Sequence, residues 1–280
     1  MENFSIDAYT PKEIAKKIEQ ACISKSTTDS TRVFVLALLA GAFIAFGAAL
    51  YTLVTHDASN INVGILRLIG GLVFCLGLIL VVVAGAELFT GNNLLVIAYV
   101  DNKITLSQLL RNWLIVFIGN FIGALGVILL VYLSKHWLIN HGIVGAKAIL
   151  IANGKVGLSF TQAFSLGILC NILVCLAVWL CFAGRTVTDK ILAIIFPITA
   201  FVALGFEHSV ANMYFIPAGM AAASDPEILQ AALSIRPHLD LSELNVGNFI
   251  VNNLLPVTLG NLIGGSGFVG IVYWFIYMRE

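Results

Sequence analysis

Five stretches of the chain, residues 33–53, 65–89, 113–133, 164–182 and 249–277, are apolar over a length that can cross a membrane. A hydrocarbon core of about 30 Å takes roughly 20 helical residues. A sixth stretch, 191–223, is apolar at both ends but interrupted by LGFEHSVANMYFIP at 204–217. Charged residues make up 11% of the 280, against about 25% in a soluble domain. There is too little polar surface to clothe a soluble globule. The chain is therefore expected to be an all-α integral membrane protein with six transmembrane helices, since lipid leaves backbone groups no other partner.

About thirty polar and charged residues precede the first span, and read as a retained cytoplasmic segment. Residues 10–26 have the pattern of an amphipathic helix. Thr10 suits the N-cap, Pro11 the first helical position and Glu13 a capping box, while Ile14, Ile18, Ala21 and Cys22 share one face. This helix is expected at the membrane interface; the alternative is a lid on the cytoplasmic mouth. Residues 1–30 are thus one unit and 31–280 a single transmembrane domain. Six spans bring both ends to one side. Arg67, Lys135, Lys147, Lys155 and Arg236 fall opposite the N-terminus, and the other ten of the fifteen Lys and Arg fall with it. The positive-inside rule then puts both termini in the cytoplasm. Net charge is zero, which argues against nucleic acid as a partner. The five cysteines form no CxxC pair, and the four in apolar segments read as small hydrophobes rather than metal ligands.

The chain repeats itself. AELFTGNN in the second span sets Glu87 five residues before Asn92, and FEHSVANM in the fifth sets Glu207 five before Asn212. Gly119-Asn120-x-x-Gly123 follows in the third span, and Gly260-Asn261-x-x-Gly264 in the sixth. Both carry the GxxxG spacing of closely approaching helices. Three spans per copy, about 31–134 and 160–278, make the copies face opposite ways. Such inverted repeats put the substrate path at their interface near the bilayer midplane.

Ionisable groups in hydrocarbon cost a few kcal/mol each on insertion scales, so Glu207 and His208 inside a span mark a functional site. His208 alone of the five histidines lies inside an apolar segment; His56, His136, His141 and His238 lie in or beside loops. Phe89-Thr90-Gly91-Asn92 is the expected break in the first copy, and Thr90 and His208 are expected at matching places in two discontinuous helices. Their free amide ends suit an anion. The glutamates read as structural acids that cap loop amides and orient the loops. Asn171 is either a helix–helix hydrogen bond or a pore lining, and Asn120 and Asn261 are packing residues. Lys155 lies in a candidate exposed loop. Gly265–Gly270 fits GxGxxG, but no strand precedes it, so it reads as a small-residue helix face.

The paired broken segments and GNxxG copies resemble the formate/nitrite transporter family over essentially the whole chain, most closely its formate channel branch. The resemblance implies an aquaporin-like fold and a homopentamer in the bacterial inner membrane, each protomer with its own pore. It implies no cofactor and no enzyme activity. By this resemblance His208 is the central pore histidine, Thr90 its hydrogen-bonding partner and Asn171 a polar neighbour. Phe74, Leu78, Leu88, Val174 and Phe201 become the hydrophobic constrictions, Glu87 and Glu207 the loop acids, and Lys155 a vestibule cation. The N-terminal helix resembles a segment that gates and contacts pyruvate formate-lyase. The implied function is pH-dependent, bidirectional passage of formate and similar small monovalent anions. His208 would either hold positive charge against the anion or lend it a proton. Nitrite or hydrosulfide passage, or a neutral-solute pore, are the alternatives; one histidine without HExxH or GxSxG supplies no enzyme centre.

Overall fold

A computed structural model of the chain describes residues 8–57 and 61–279; residues 1–7 of the expected N-terminal segment lie outside it. Among the described residues there is no strand. Helix α1 is Pro11–Thr27, and its Thr10–Glu13 capping box forms as the sequence implies. The six long apolar helices are α2 (Ser30–Val54), α3 (Val63–Gly85), α5 (Leu106–Leu133), α7 (Phe160–Ala183), α8 (Val187–Leu204) and α11 (Val246–Tyr277). Shorter helices lie between them: α4 (Gly91–Val100), α6 (Ile143–Val156), α9 (Ser209–Ala222) and α10 (Pro226–Ile235). Large apolar side chains such as Leu114, Leu130, Leu133 and Phe196 remain on the outer surface, as a helix bundle in lipid requires.

Two elements differ from the sequence reading. The segment before α7 is a helix, α6, packed along α9, and not a loop. At 14 residues it is too short to register as a span. Within the polar insert at 224–244, α10 packs Ile228 and Ala232 inward near α6.

α2 packs along α5 and α7 along α11, with α3 crossing α8. The glycines of the GNxxG copies allow this. A Cβ on Gly123 would overlap the Leu38 carbonyl, and one on Gly264 would overlap the Ile168 carbonyl.

Both α3 and α8 stop inside the apolar region, on equivalent glycines. Gly85 has φ +83° and Gly205 +76°, the left-handed region that reverses the chain at little cost in glycine. Wide turns close both ends: the Ala86 amide bonds Val81 O at 2.9 Å and the Phe206 amide bonds Phe201 O at 3.0 Å. The first break therefore begins at Gly85, upstream of the expected Phe89–Asn92. The next residues run extended, and chain resumes as helix at Gly91 and at Ser209.

Candidate functional site

An extended segment in a membrane interior exposes backbone groups that need partners. Here they are met twice, by the same device. Asn120 accepts from the Phe89 amide at 2.9 Å and donates to Ala37 O at 2.8 Å and Glu87 O at 2.9 Å. Asn261 accepts from the Ser209 amide at 2.9 Å and donates to Gly167 O at 2.8 Å and Glu207 O at 3.0 Å. The Glu87 amide reaches Leu36 O, and the Glu207 amide Leu166 O. The loop amides are thus capped by the asparagines, not by the glutamates.

The glutamates serve a different set. Glu87 Oε2 accepts from Lys25 Nζ at 3.0 Å and from Asn92 Nδ2 at 2.6 Å, and Asn92 also donates to Asn112. Glu207 accepts from Lys155 Nζ at 2.7 Å and from Asn212 Nδ2 at 2.7 Å, and Asn212 also donates to Asn253. Lys155 ends α6 and is ion-paired, with a side chain only 17% exposed, so it is not a solvated loop residue. Lys25, Asn112 and Asn253 escaped the sequence reading. A lysine on an amphipathic helix carries no sign that it points inward, although Lys25 and Lys155 each lie four residues before the N-cap of a span.

These hydrogen bonds set the register between the halves. Leu36 pairs with Leu166, Ala37 with Gly167, and 87–92 with 207–212. Counting on, Leu88 is the counterpart of His208, and Thr90 is that of Val210. Thr90 and His208 therefore do not occupy matching places, as the sequence reading had them.

Three cavities lie along the seam. One, of about 380 Å³, is lined by Lys25, Glu87, Leu78 and Leu88, with Ile18, Ala21 and Cys22 of α1 among its walls. A second, of about 250 Å³, is lined by Lys155, Glu207, His208, Phe74 and Phe201. Between them is a chamber of about 10 Å³, on the order of the space for one water. Its lining is Ile44, Phe74, Leu78, Leu88, Val174, Ile198, Phe201 and His208. The chamber shares Leu78 and Leu88 with the first cavity, and Phe74, Phe201 and His208 with the second. Phe74 and Phe201 meet edge to face at 5.8 Å. The five residues expected at constrictions thus stand together. Ile44 and Ile198 join them as counterparts of Val174 and Leu78, and buried isoleucines give no sequence signal of their own.

His208 is the one polar side chain in that lining. Its Nδ1 accepts from the Ala211 amide at 3.0 Å, so the ring caps α9. The ring proton is then on Nε2, 2.9 Å from Thr90 Oγ1, to which it donates. Thr90 and Asn171 are fully buried but absent from the lining of all three cavities. Asn171 is therefore no pore lining: its Nδ2 bonds Asn93 Oδ1 at 2.7 Å, Asn261 O at 2.8 Å and Thr90 O at 3.2 Å. All five cysteines are free and buried.

A family model described as formate/nitrite transporter matches residues 12–275. The chain is 43% identical over 276 residues to the formate channel FocA of Escherichia coli K12, covering 98% of this chain and 96% of that one. It is 40% identical over 272 residues to FocA of Haemophilus influenzae, covering 96% and 95%. A solved pentameric formate channel with formate bound superposes with a TM-score of 0.81 at 41% identity, covering 89% of this chain and 98% of that one. An ion channel of the same family superposes at 0.80 with 28% identity, covering 94% and 98%.

Proposed function

The chain belongs to the formate/nitrite transporter family, and we propose that it is a channel for formate across the bacterial inner membrane, working as a homopentamer with a pore in each protomer. It is a transport protein and not an enzyme. The observation that carries this reading is the narrow apolar chamber with one imidazole in its wall, set between two wider cavities that each hold a Lys–Glu–Asn cluster. The positive-inside count supports cytoplasmic termini, which makes the Lys25 cavity the inner vestibule and the Lys155 cavity the outer one. The names of the relatives favour formate over nitrite, hydrosulfide or neutral solutes.

A bare anion entering so apolar a chamber loses its hydration and meets no compensating charge. A standing charge on His208 is opposed by its surroundings: a proton on Nδ1 would displace the Ala211 amide that it caps, at the positive end of a helix. The lysines draw the anion into a vestibule; a proton that His208 takes up from water there is passed on to the anion, which crosses the chamber as the neutral acid and leaves the ring neutral. Lower pH on one side supplies that proton to His208 from that side and drives uptake from it; near-neutral pH favours export. Formate flux into proteoliposomes against pH tests this, in wild type and His208→Ala. The variant is expected to lose the wild-type pH dependence, and an unaltered profile would remove the histidine from the mechanism. Docking of pyruvate formate-lyase on α1 is a further reading carried by the family resemblance alone, to be checked by co-purification with and without residues 1–27.

A further inference from the structure

The polar contacts that hold Thr90 against His208 are all on one side of an otherwise matched frame. The register set by Leu36/Leu166 and Ala37/Gly167 pairs Asn171 with Gly41 and Cys175 with Ala45. The one set by 87–92 and 207–212 pairs Thr90 with Val210 and, one residue on, Asn93 with Met213. Each member of the Thr90 network therefore faces an apolar or absent side chain in the other half. A frame that needed these groups for folding would show them twice, as it shows Asn120 and Asn261.

A count of protons then singles out one residue. The Asn171 amide has two N–H groups and three acceptors. Asn93 Oδ1 at 2.7 Å and Asn261 O at 2.8 Å take them, leaving Thr90 O at 3.2 Å the weakest of the three. The thiol of Cys175 lies 3.3 Å from the same Thr90 carbonyl and donates to it. Cys22 and Cys75 also reach groups on other helices, Leu94 O at 3.4 Å and Thr199 Oγ1 at 3.4 Å, but of these three thiols only that of Cys175 meets the loop that carries Thr90. Asn93 is held in turn: its Nδ2 bonds Phe89 O at 3.1 Å, and its carbonyl accepts from Ser266 Oγ at 3.0 Å. Gly265 makes room where these groups converge, since a Cβ there would press on Asn171, Cys175 and Asn93 together.

We infer that Cys175 and Asn93 are positioning residues for permeation: Cys175 holds the Thr90 carbonyl and Asn93 the Phe89 carbonyl before it, and so they place the hydroxyl that accepts from His208 Nε2–H. The link from carbonyl to hydroxyl is short, because a β-branched threonine has few χ1 choices once its backbone is set. Neither residue lines the three cavities. Cys175 acts as a donor here, with no redox or metal role.

This rests on the formate-channel reading, and the experiment separates the two. Formate and chloride flux are measured across pH in proteoliposomes of wild type, Cys175→Val, Cys175→Ser and Asn93→Ala, each checked for its oligomer by size exclusion. Cys175→Val keeps the bulk and loses the donor; formate flux is expected to fall about threefold, the scale of one modest hydrogen bond, with a displaced pH profile. Cys175→Ser, which still donates, is expected to restore both, and Asn93→Ala, which releases the Phe89 carbonyl next to Thr90, to lower formate flux. If Cys175→Val does not assemble, Cys175→Ala reads the same loss. Wild-type flux and profile in the assembled Val or Ala variant overturn the inference, as does a uniform loss in Cys175→Ser. No formate flux in wild type would instead overturn the function proposed above.

Discussion

Thr90 and His208 show what a single hydrogen bond between the halves does. The imidazole has one nitrogen committed to the start of α9 and the other to the threonine hydroxyl. Thr90→Val keeps the shape and removes the acceptor, leaving a buried Nε2–H unpaired. At about 1.4 kcal/mol for such a group, formate flux is expected to fall about tenfold in stopped-flow uptake; undiminished flux would show that the hydroxyl is not used. Asn120 and Asn261 show a structural use of the same chemistry. Asn120→Ala strands the Phe89 amide and the Glu87 carbonyl of the loop. Each buried orphan costs about 1–3 kcal/mol, so the purified protein is expected to melt roughly 5 °C lower or more, and an unchanged melting point would mean that water replaces the side chain.

Among the elements, α1 carries the most unusual electrostatics. Its apolar face packs Ile14, Ala15, Ile18 and Cys22 against Leu94, Leu95 and Ile97 of α4, so it is docked on the protein and walls one cavity. On the same helix, burial first and then the facing Asp101 carboxyl raise Glu19 above the usual carboxylate range. Its Oε1 is buried without a donor. Asp101 is held low, foremost by the Trp274 indole N–H at 2.8 Å, with Lys103 3.5 Å away. Of the two carboxyls, Glu19 is thus the one that holds a proton more tightly. The sign follows: Glu19 binds its proton more tightly docked than free, so docking is fully supported below the ordinary glutamate range and loses support as pH rises through the raised value. Hydrogen exchange in α1, corrected for intrinsic rates, is expected to show less protection at neutral than at acid pH, and Glu19→Gln to abolish the difference. A pH-independent wild-type helix would refute the pairing.

For the whole molecule, the decisive property is the size of the central chamber. At about 10 Å³ it has room for about one water, so a three-heavy-atom acid passes only when the lining yields. Ile44 and Val174 are counterparts across the seam, and both are stiff at χ1. Ile44→Ala is expected to raise acetate flux relative to formate in the same liposome assay. An unaltered ratio would locate size selection elsewhere, at Leu78 and Leu88 or at Phe74 and Phe201.

The sequence by itself determined the class of fold. Runs of apolar residues have no other use at that length, and Glu-x4-Asn followed by GNxxG recurs with a spacing that only an internal repeat explains. It also singled out His208, because an ionisable group in an apolar run is costly enough to be visible without any structure. Tertiary structure decided the rest. The partners of Glu87 and Glu207 are lysines 62 and 52 residues away. Ile44, Ile198 and Cys175 are indistinguishable from lipid-facing residues until the helices pack. Asn171 stands behind the loop rather than in the pore. Apolar patterning reports how much of a residue leaves water, and not whether it enters lipid, a neighbour or a channel; that choice is made only when two halves far apart in the chain close on each other.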